Sequence, residues 1–136
     1  MSTSAIALRQ AIFDALSADA ALLAVLGAAR IHDAPPRDAA FPYVTLGEMR
    51  LADISGDGGA TTQHQITLHA WSQQGGHRQA HAIAGALLAA LDDAPLSPSG
   101  HRLVQLRFAQ ADIRREKDGR TYHALLRFRA VTEPLS

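Results

Sequence analysis

The nine residues Gln63-His64-Gln65-Ile66-Thr67-Leu68-His69-Ala70-Trp71 constrain this chain more than any other segment. Ile66, Leu68 and Ala70 share one parity, and Gln65, Thr67, His69 and Trp71 share the other. Strict alternation over this length demands a β-strand with one covered face and one face left partly open to solvent. A strand of this kind needs neighbours in a sheet and a layer to cover its apolar side. Trp71 falls on the polar side, where it caps a strand end or enters an interface.

The covering layer is legible in two other segments. Ala5, Leu8, Ile12 and Leu16 recur at helical spacing, with Ser2, Thr3 or Ser4 available as N-caps. Ser17 or Asp19 can cap a second short helix from Ala20 to Leu26, which Gly27 stops. Ala80, Ile83, Ala84, Leu87, Leu88 and Leu91 follow the same periodicity before Asp92-Asp93-Ala94-Pro95 ends that helix. Ala84 and Gly85 are small enough to let it lie close on a sheet.

Further strands are expected at Tyr43 to Met49, with Val44 and Leu46 on one face, and in a long C-terminal hairpin. Arg30-Ile31-His32 is a short extended candidate. Asp33 to Pro42 reads as a loop, because Ala34-Pro35-Pro36 cannot hold a helix and Phe41 precedes a proline. In the hairpin, Val104, Leu106 and Phe108 alternate on one arm, and Ala124, Leu126, Phe128 and Ala130 on the other. Asp118-Gly119 marks the turn. The registers conflict. A two-residue turn sets even positions of one arm opposite odd positions of the other, yet both apolar sets are even. Either Gly119 adds a third, left-handed turn residue, or a bulge near Gln110–Asp112 shifts the parity. The pairing of Ile113 with Ala124 favours the bulge. The expected architecture is α+β: one domain spanning residues 1–136, with an antiparallel four-stranded sheet and helices packed on one face, in the order α-(α)-β-β-α-β-β.

Composition narrows function by exclusion. The 136 residues are 47% hydrophobic and 19% charged, in the range of a folded globular chain. Thirteen basic and thirteen acidic side chains cancel, so there is no general electrostatic case for nucleic-acid binding. The charges are nevertheless separated. Residues 1–100 carry five basic and nine acidic groups, and residues 101–136 carry eight and four, which suits head-to-tail association. The chain has no cysteine, hence no disulfide, thiolate metal site or cysteine nucleophile. The first residues do not read as a signal peptide, and no apolar run is long enough to span a bilayer.

The search for chemistry yields little. His77 and His81, four apart at a helix start, face the same way, but no Glu follows His77 as a zinc-protease motif requires, and no third ligand is near in sequence. A small metal-dependent enzyme built on this pair is the competing reading. His64 and His69 lie on opposite faces of one strand. His32, His101 and His123 are isolated. Gly56-Asp57-Gly58-Gly59 lacks the Gly-Lys-Ser/Thr ending of a phosphate loop and precedes a strand, so it reads as a flexible connection. Arg102, Arg107, Arg114, Arg115, Arg127 and Arg129 cluster on the hairpin, but with 5% aromatic residues there is little for bases to stack on. Inter-subunit ion pairs or solvated strand edges fit them better.

The linear order of several segments is informative as a set. Leu8-Arg9 lies in the first helix, followed by Arg30-Ile31 and then Phe41-Pro42-Tyr43-Val44-Thr45-Leu46-Gly47. Ile66-Thr67-Leu68-His69-Ala70-Trp71-Ser72, an Ala-rich helix and Leu103-Val104 come next. Asp118-Gly119-Arg120-Thr121-Tyr122-His123 and Arg127-Phe128-Arg129-Ala130 complete the run. Over nearly the whole chain this resembles the tail-completion, or tail-terminator, proteins of long-tailed phages and phage-derived gene transfer agents. The resemblance implies a non-enzymatic subunit of a homo-hexameric ring on the head-proximal end of a tail tube, assembled in the host cytoplasm. Such a ring ends tube polymerisation and meets a head-side connector, while DNA passes through the lumen without specific binding. No cofactor, metal or membrane partner is implied. Another connector or adaptor ring subunit of the same particle is the nearest alternative. The candidate partner or subunit interface comprises Asp53, Ile54, Ser55, Gly56, Asp57, Gly58, Gly59, His69, Trp71, Arg127 and Arg129.

Overall fold

In the computed structural model, which describes residues 3–56, 59–73 and 76–135, three helices and five strands follow one another in the chain. Helix α1 (Ser4–Ser17) is capped by Thr3, whose Oγ1 accepts the Ile6 N–H at 3.2 Å. Helix α2 (Ala20–Leu26) is capped by Asp19, whose carboxylate accepts the Leu22 N–H. It ends at Gly27, which takes the left-handed conformation (φ 83°) that a side chain would resist. Strands β1 (Ile31–His32), β2 (Tyr43–Asp53) and β3 (Thr62–Ser72) precede helix α3 (Gly76–Leu91), and β4 (His101–Arg115) and β5 (Tyr122–Pro134) close the chain.

The sheet corrects the expected one. It has five strands, not four, and it is mixed, not antiparallel throughout. The order is β1-β2-β3-β5-β4, with β1 parallel to β2 through Ile31↔Val44 and His32↔Thr45. A two-residue strand has no periodicity to read, which is why a count from alternation misses it. The hairpin also inserts β5, not β4, next to β3, from Thr62↔Thr132 to Ser72↔Tyr122. Helix α3 therefore carries the chain one place past the neighbouring position, and β5 returns into the gap.

One apolar cluster joins all three helices to one face of the sheet. Leu8, Ile12, Leu16, Leu22, Leu26, Ile83, Leu87 and Leu91 meet Val44, Leu46, Ile66, Leu68, Leu126 and Phe128 in it. The parity conflict in the hairpin is resolved by bulges. Near the turn, Ile113 pairs with Ala124. Between Gln110↔Arg127 and Phe108↔Phe128 the register slips by one at Ala109, and it slips again at Val104. The first step returns Phe108 and Leu106 to the covered face, and the second places Leu103 there. The turn itself keeps the two-residue parity: the Glu116 N–H donates to the Thr121 carbonyl, and Asp118 accepts from the Arg120 and Thr121 N–H groups and the Thr121 hydroxyl. Those bonds, that of the Thr121 side chain first, hold the Asp118 carboxyl at about 2.

Strand β2 has its own bulge. Leu46 faces Leu68, but Met49 faces Ile66, so Gly47 and Glu48 together oppose Thr67. Before the bulge even residues point to the helices, and after it odd ones do. This turns Arg50 to the helix-free face. Arg9 of α1 holds the edge of β2 here, donating to the carbonyls of Leu46 (2.6 Å) and Gly47 (2.7 Å) and to Asp33 (2.6 Å). Arg9→Met keeps the aliphatic stem and leaves both carbonyls without this donor. It is expected to cost about 2 kcal/mol, read as a lower urea midpoint at unchanged m-value. The opposite edge is covered differently. The Asp93 N–H donates to the Leu106 carbonyl at 2.7 Å, and the Asp92 carboxylate accepts the Phe108 N–H at 2.9 Å, so the end of α3 blunts β4.

Candidate interface on the helix-free face of the sheet

With the helices on one side, the other face of the sheet presents Tyr43, Thr45, Gly47 and Arg50 from β2, and Gln65, Thr67, His69 and Trp71 from β3. From β5 it presents His123, Leu125, Arg127 and Arg129. Its central feature is a chain of four titratable groups. His69 Nδ1 and His123 Nε2 are 2.7 Å apart, His123 Nδ1 is 2.9 Å from Glu116 Oε1, and His69 Nε2 is 3.6 Å from Glu48 Oε1. The bonding pattern assigns the protons. His123 Nδ1–H donates to Glu116, so its Nε2 accepts from His69 Nδ1–H, and His69 Nε2 is left facing Glu48. Only one proton fits between the two rings.

Stacking supports the pair. Trp71 lies on His123 with centroids 3.9 Å apart and planes at 6°, and Tyr43 flanks Trp71 at 6.4 Å. His123 is 5% exposed, and its burial lowers its pKa against the raising effect of Glu116. Gly47 makes the room: a Cβ there would stand 2.7 Å from the His69 ring and 2.9 Å from the Thr67 carbonyl oxygen. The members of this array fix one another's orientation and stiffen one end of the face.

The residues expected at the interface from sequence are distributed, not gathered. His69, Trp71, Arg127 and Arg129 share the helix-free face: Trp71 pairs with His123, His69 with Leu125, and Thr67 and Gln65 with Arg127 and Arg129. Asp53, Ile54, Ser55, Gly56 and Gly59 sit at the far end of the β2–β3 hairpin, about 30 Å from Trp71 at the ordinary rise of a strand. Asp57 and Gly58 lie outside the described residues. The flanks are hydrogen-bonded, not loose. The Ile54 N–H donates to the Thr61 carbonyl, Ser55 Oγ accepts the Thr61 N–H, the Asp53 carboxylate accepts from Ser55, and Gly56 bridges to Gly59. Ser55's bonds lower the pKa of Asp53. Leu51 and Ile54 are 45% and 47% exposed on this projecting hairpin.

Glu48, Glu116, Tyr43 and His123 were not identified from sequence. His123 shares the parity of Arg127 and Arg129, which was the available signal, but its partner His69 is 54 residues away. The rings of His77 and His81 are 6.3 Å apart, and the third group at that pair is the ring of Tyr122, 4.5 Å from His77. Among the described residues, no group of three or more His, Asp or Glu side chains could hold a metal ion, and no helix is long and apolar enough to cross a membrane.

Comparison with known proteins identifies the setting as a tailed particle. A chain in the virion of a native gene transfer agent particle superposes with a TM-score of 0.89 at 36% identity, covering 98% of this chain and 99% of that one. The gp17 protein of bacteriophage SPP1 shares the fold, with a TM-score of 0.65 at 20% identity over 96% of this chain and 90% of that one. No curated protein matches the sequence. Residues 10–133 match the family model described as Tail completion protein gp17. The chain belongs to that family, and it is a structural component of a phage-type tail.

Proposed function

We infer that this chain acts as one domain in a ring, most simply a homo-hexamer, that closes the head-proximal end of a tail tube. It has no catalytic role. The ring ends tube polymerisation and offers its other side to a head-side connector, and DNA passes through the lumen without specific contacts. Likeness to a gene transfer agent virion chain over almost the full length of both carries this reading.

Two surfaces suit the assembly. Among the described residues, no helix covers the helix-free face. The β2–β3 hairpin projects with Leu51 and Ile54 exposed, a position from which it can dock on a partner ring. A heterologous contact between copies closes into a ring when its rotation allows. Arg127 and Arg129 make protein contacts and do not line the channel in this reading, since a basic lining would hold phosphates and slow passage.

Deleting Asp57–Gly59 removes residues from the connection between β2 and β3 and none from either strand. The variant is expected to keep its thermal midpoint and to lose incorporation into tails, measured by quantifying the protein on purified particles. Normal incorporation of the shortened protein would remove the hairpin from the docking surface. Absence of the wild-type protein from particles would refute the ring itself.

A further inference from the structure

The β-ladder aligns a row of side chains that the array of histidines does not use. Arg50 pairs with Gln65, Gln65 with Arg129, and Arg129 with Arg107, so one line crosses four adjacent strands on the helix-free face. Arg127 stands in the next row, between Thr67 and Gln110. Among the described residues, no carboxylate comes within 4.0 Å of Arg50, Arg127 or Arg129. Arg107 alone reaches one, Asp92 at 3.4 Å.

This arrangement is unfavourable in the isolated chain. Like charges directly opposite on a sheet repel, and neighbouring strands are only about 4.8 Å apart. Arg50, Arg127, Gln65 and Thr67 line one hollow of about 470 Å³, with Glu48 and Met49 also in its lining. Two guanidinium forks, an amide and a hydroxyl around one hollow suit the bidentate recognition of carboxylates.

We propose that this arginine row is a docking surface for a protein partner that presents carboxylates. The proposal rests on the reading of the helix-free face as an assembly surface, and it supplies the chemistry of what docks there. A nucleic-acid backbone fits less well. The row is bounded by acids on the same face: Glu48 in the hollow itself, Asp112 two rows toward the turn and Glu133 two rows the other way. A duplex backbone following the strands would meet Asp112 and Glu133 as well as Glu48, whereas a short carboxylate cluster on the row would meet Glu48 alone. The chain's net charge of +0 gives no long-range attraction for DNA.

The test uses the purified full chain with a short labelled peptide carrying two adjacent glutamates and otherwise uncharged, and with a short duplex DNA, read by fluorescence anisotropy at low salt. The peptide is expected to bind. The double variant Arg127→Gln/Arg129→Gln should weaken it by about tenfold or more, while Arg120→Gln on the exposed turn should leave it unchanged. The double variant should also melt no lower than wild type, because it removes repulsion, so lost binding would not reflect unfolding. Duplex DNA bound more tightly than the peptide, through the same arginines, would overturn the proposal in favour of a nucleic-acid surface. Failure to bind the peptide, or an equal loss with Arg120→Gln, would overturn it outright. Peptide binding by a protein that is absent from tails would sink the ring reading and leave this surface standing. Presence on tails without peptide affinity would sink this surface alone.

Discussion

Replacing Gly47 by valine is expected to cost about 3 kcal/mol of stability and to separate His69 from His123. The cost has two sources that can be measured apart. The added Cβ would overlap the His69 ring, which can swing away, and it would approach the Thr67 carbonyl oxygen, which cannot. Thr67 lies in β3, held by ladders to β2 on one side and β5 on the other. Adding His69→Ala to Gly47→Val should therefore recover part of the loss but not all of it. Full recovery would mean that the backbone yields more than a two-sided strand should. Urea midpoints of the single and double variants decide this. The histidine ring resonances report the separation of the pair, and retention of the bonded-pair signature in Gly47→Val would refute the packing argument.

Acid is expected to have the second large effect, with a loss of stability as pH falls below about 6.5. His64 is fully buried on the helix side, with Nε2 2.9 Å from Thr132 Oγ1 and Nδ1 buried with no partner among the described residues. Burial, followed by the nearby His101, lowers its pKa below the ordinary value of 6.5. His123 is lowered too, chiefly by burial. Below 6.5 the unfolded chain takes up protons that the folded chain refuses at both sites. The stabilising contribution is complete above 6.5 and drains away as pH falls toward the depressed folded values. Each such proton sets a limiting slope of about 1.4 kcal/mol per pH unit.

The His69–His123 contact adds a structural cost in the same direction. A second proton on the pair would turn N–H toward N–H across 2.7 Å. Of the groups facing His123, Glu116 favours its proton, and His69 and Arg114 oppose it. Urea midpoints across pH 5 to 7.5 should show the slope, and His64→Leu should flatten it. A flat profile in the wild type would refute the account.

Much of the fold was available from local pattern. Thr3, Asp19 and Gly27 bound their helices where capping chemistry puts them. The alternation from Gln63 to Trp71 separates the covered from the open face, and the mismatch of parity in the hairpin left a three-residue turn or a bulge, with Ile113 and Ala124 favouring the bulge. The bulge at Ala109 lies just outside the expected Gln110–Asp112. The placement of Arg127 and Arg129 on the helix-free face with His69 and Trp71 follows from tertiary pairing, since parity cannot say which faces of two distant strands coincide.

The limits have the same origin. Alternation is set by each strand's own backbone, because successive side chains point to opposite sides whatever the neighbour is. The sequence by itself therefore determined the helices, the long strands and the division of each strand into an apolar and a polar side. Which strand lies beside which depends on contacts between residues far apart in the chain, and no local spacing encodes those. Only the tertiary structure decided that β1 joins as a fifth, parallel strand and that β5 enters between β3 and β4. The same pairing brought His123 onto His69 and the arginines into one row, because a ladder aligns side chains by register and not by their order along the chain.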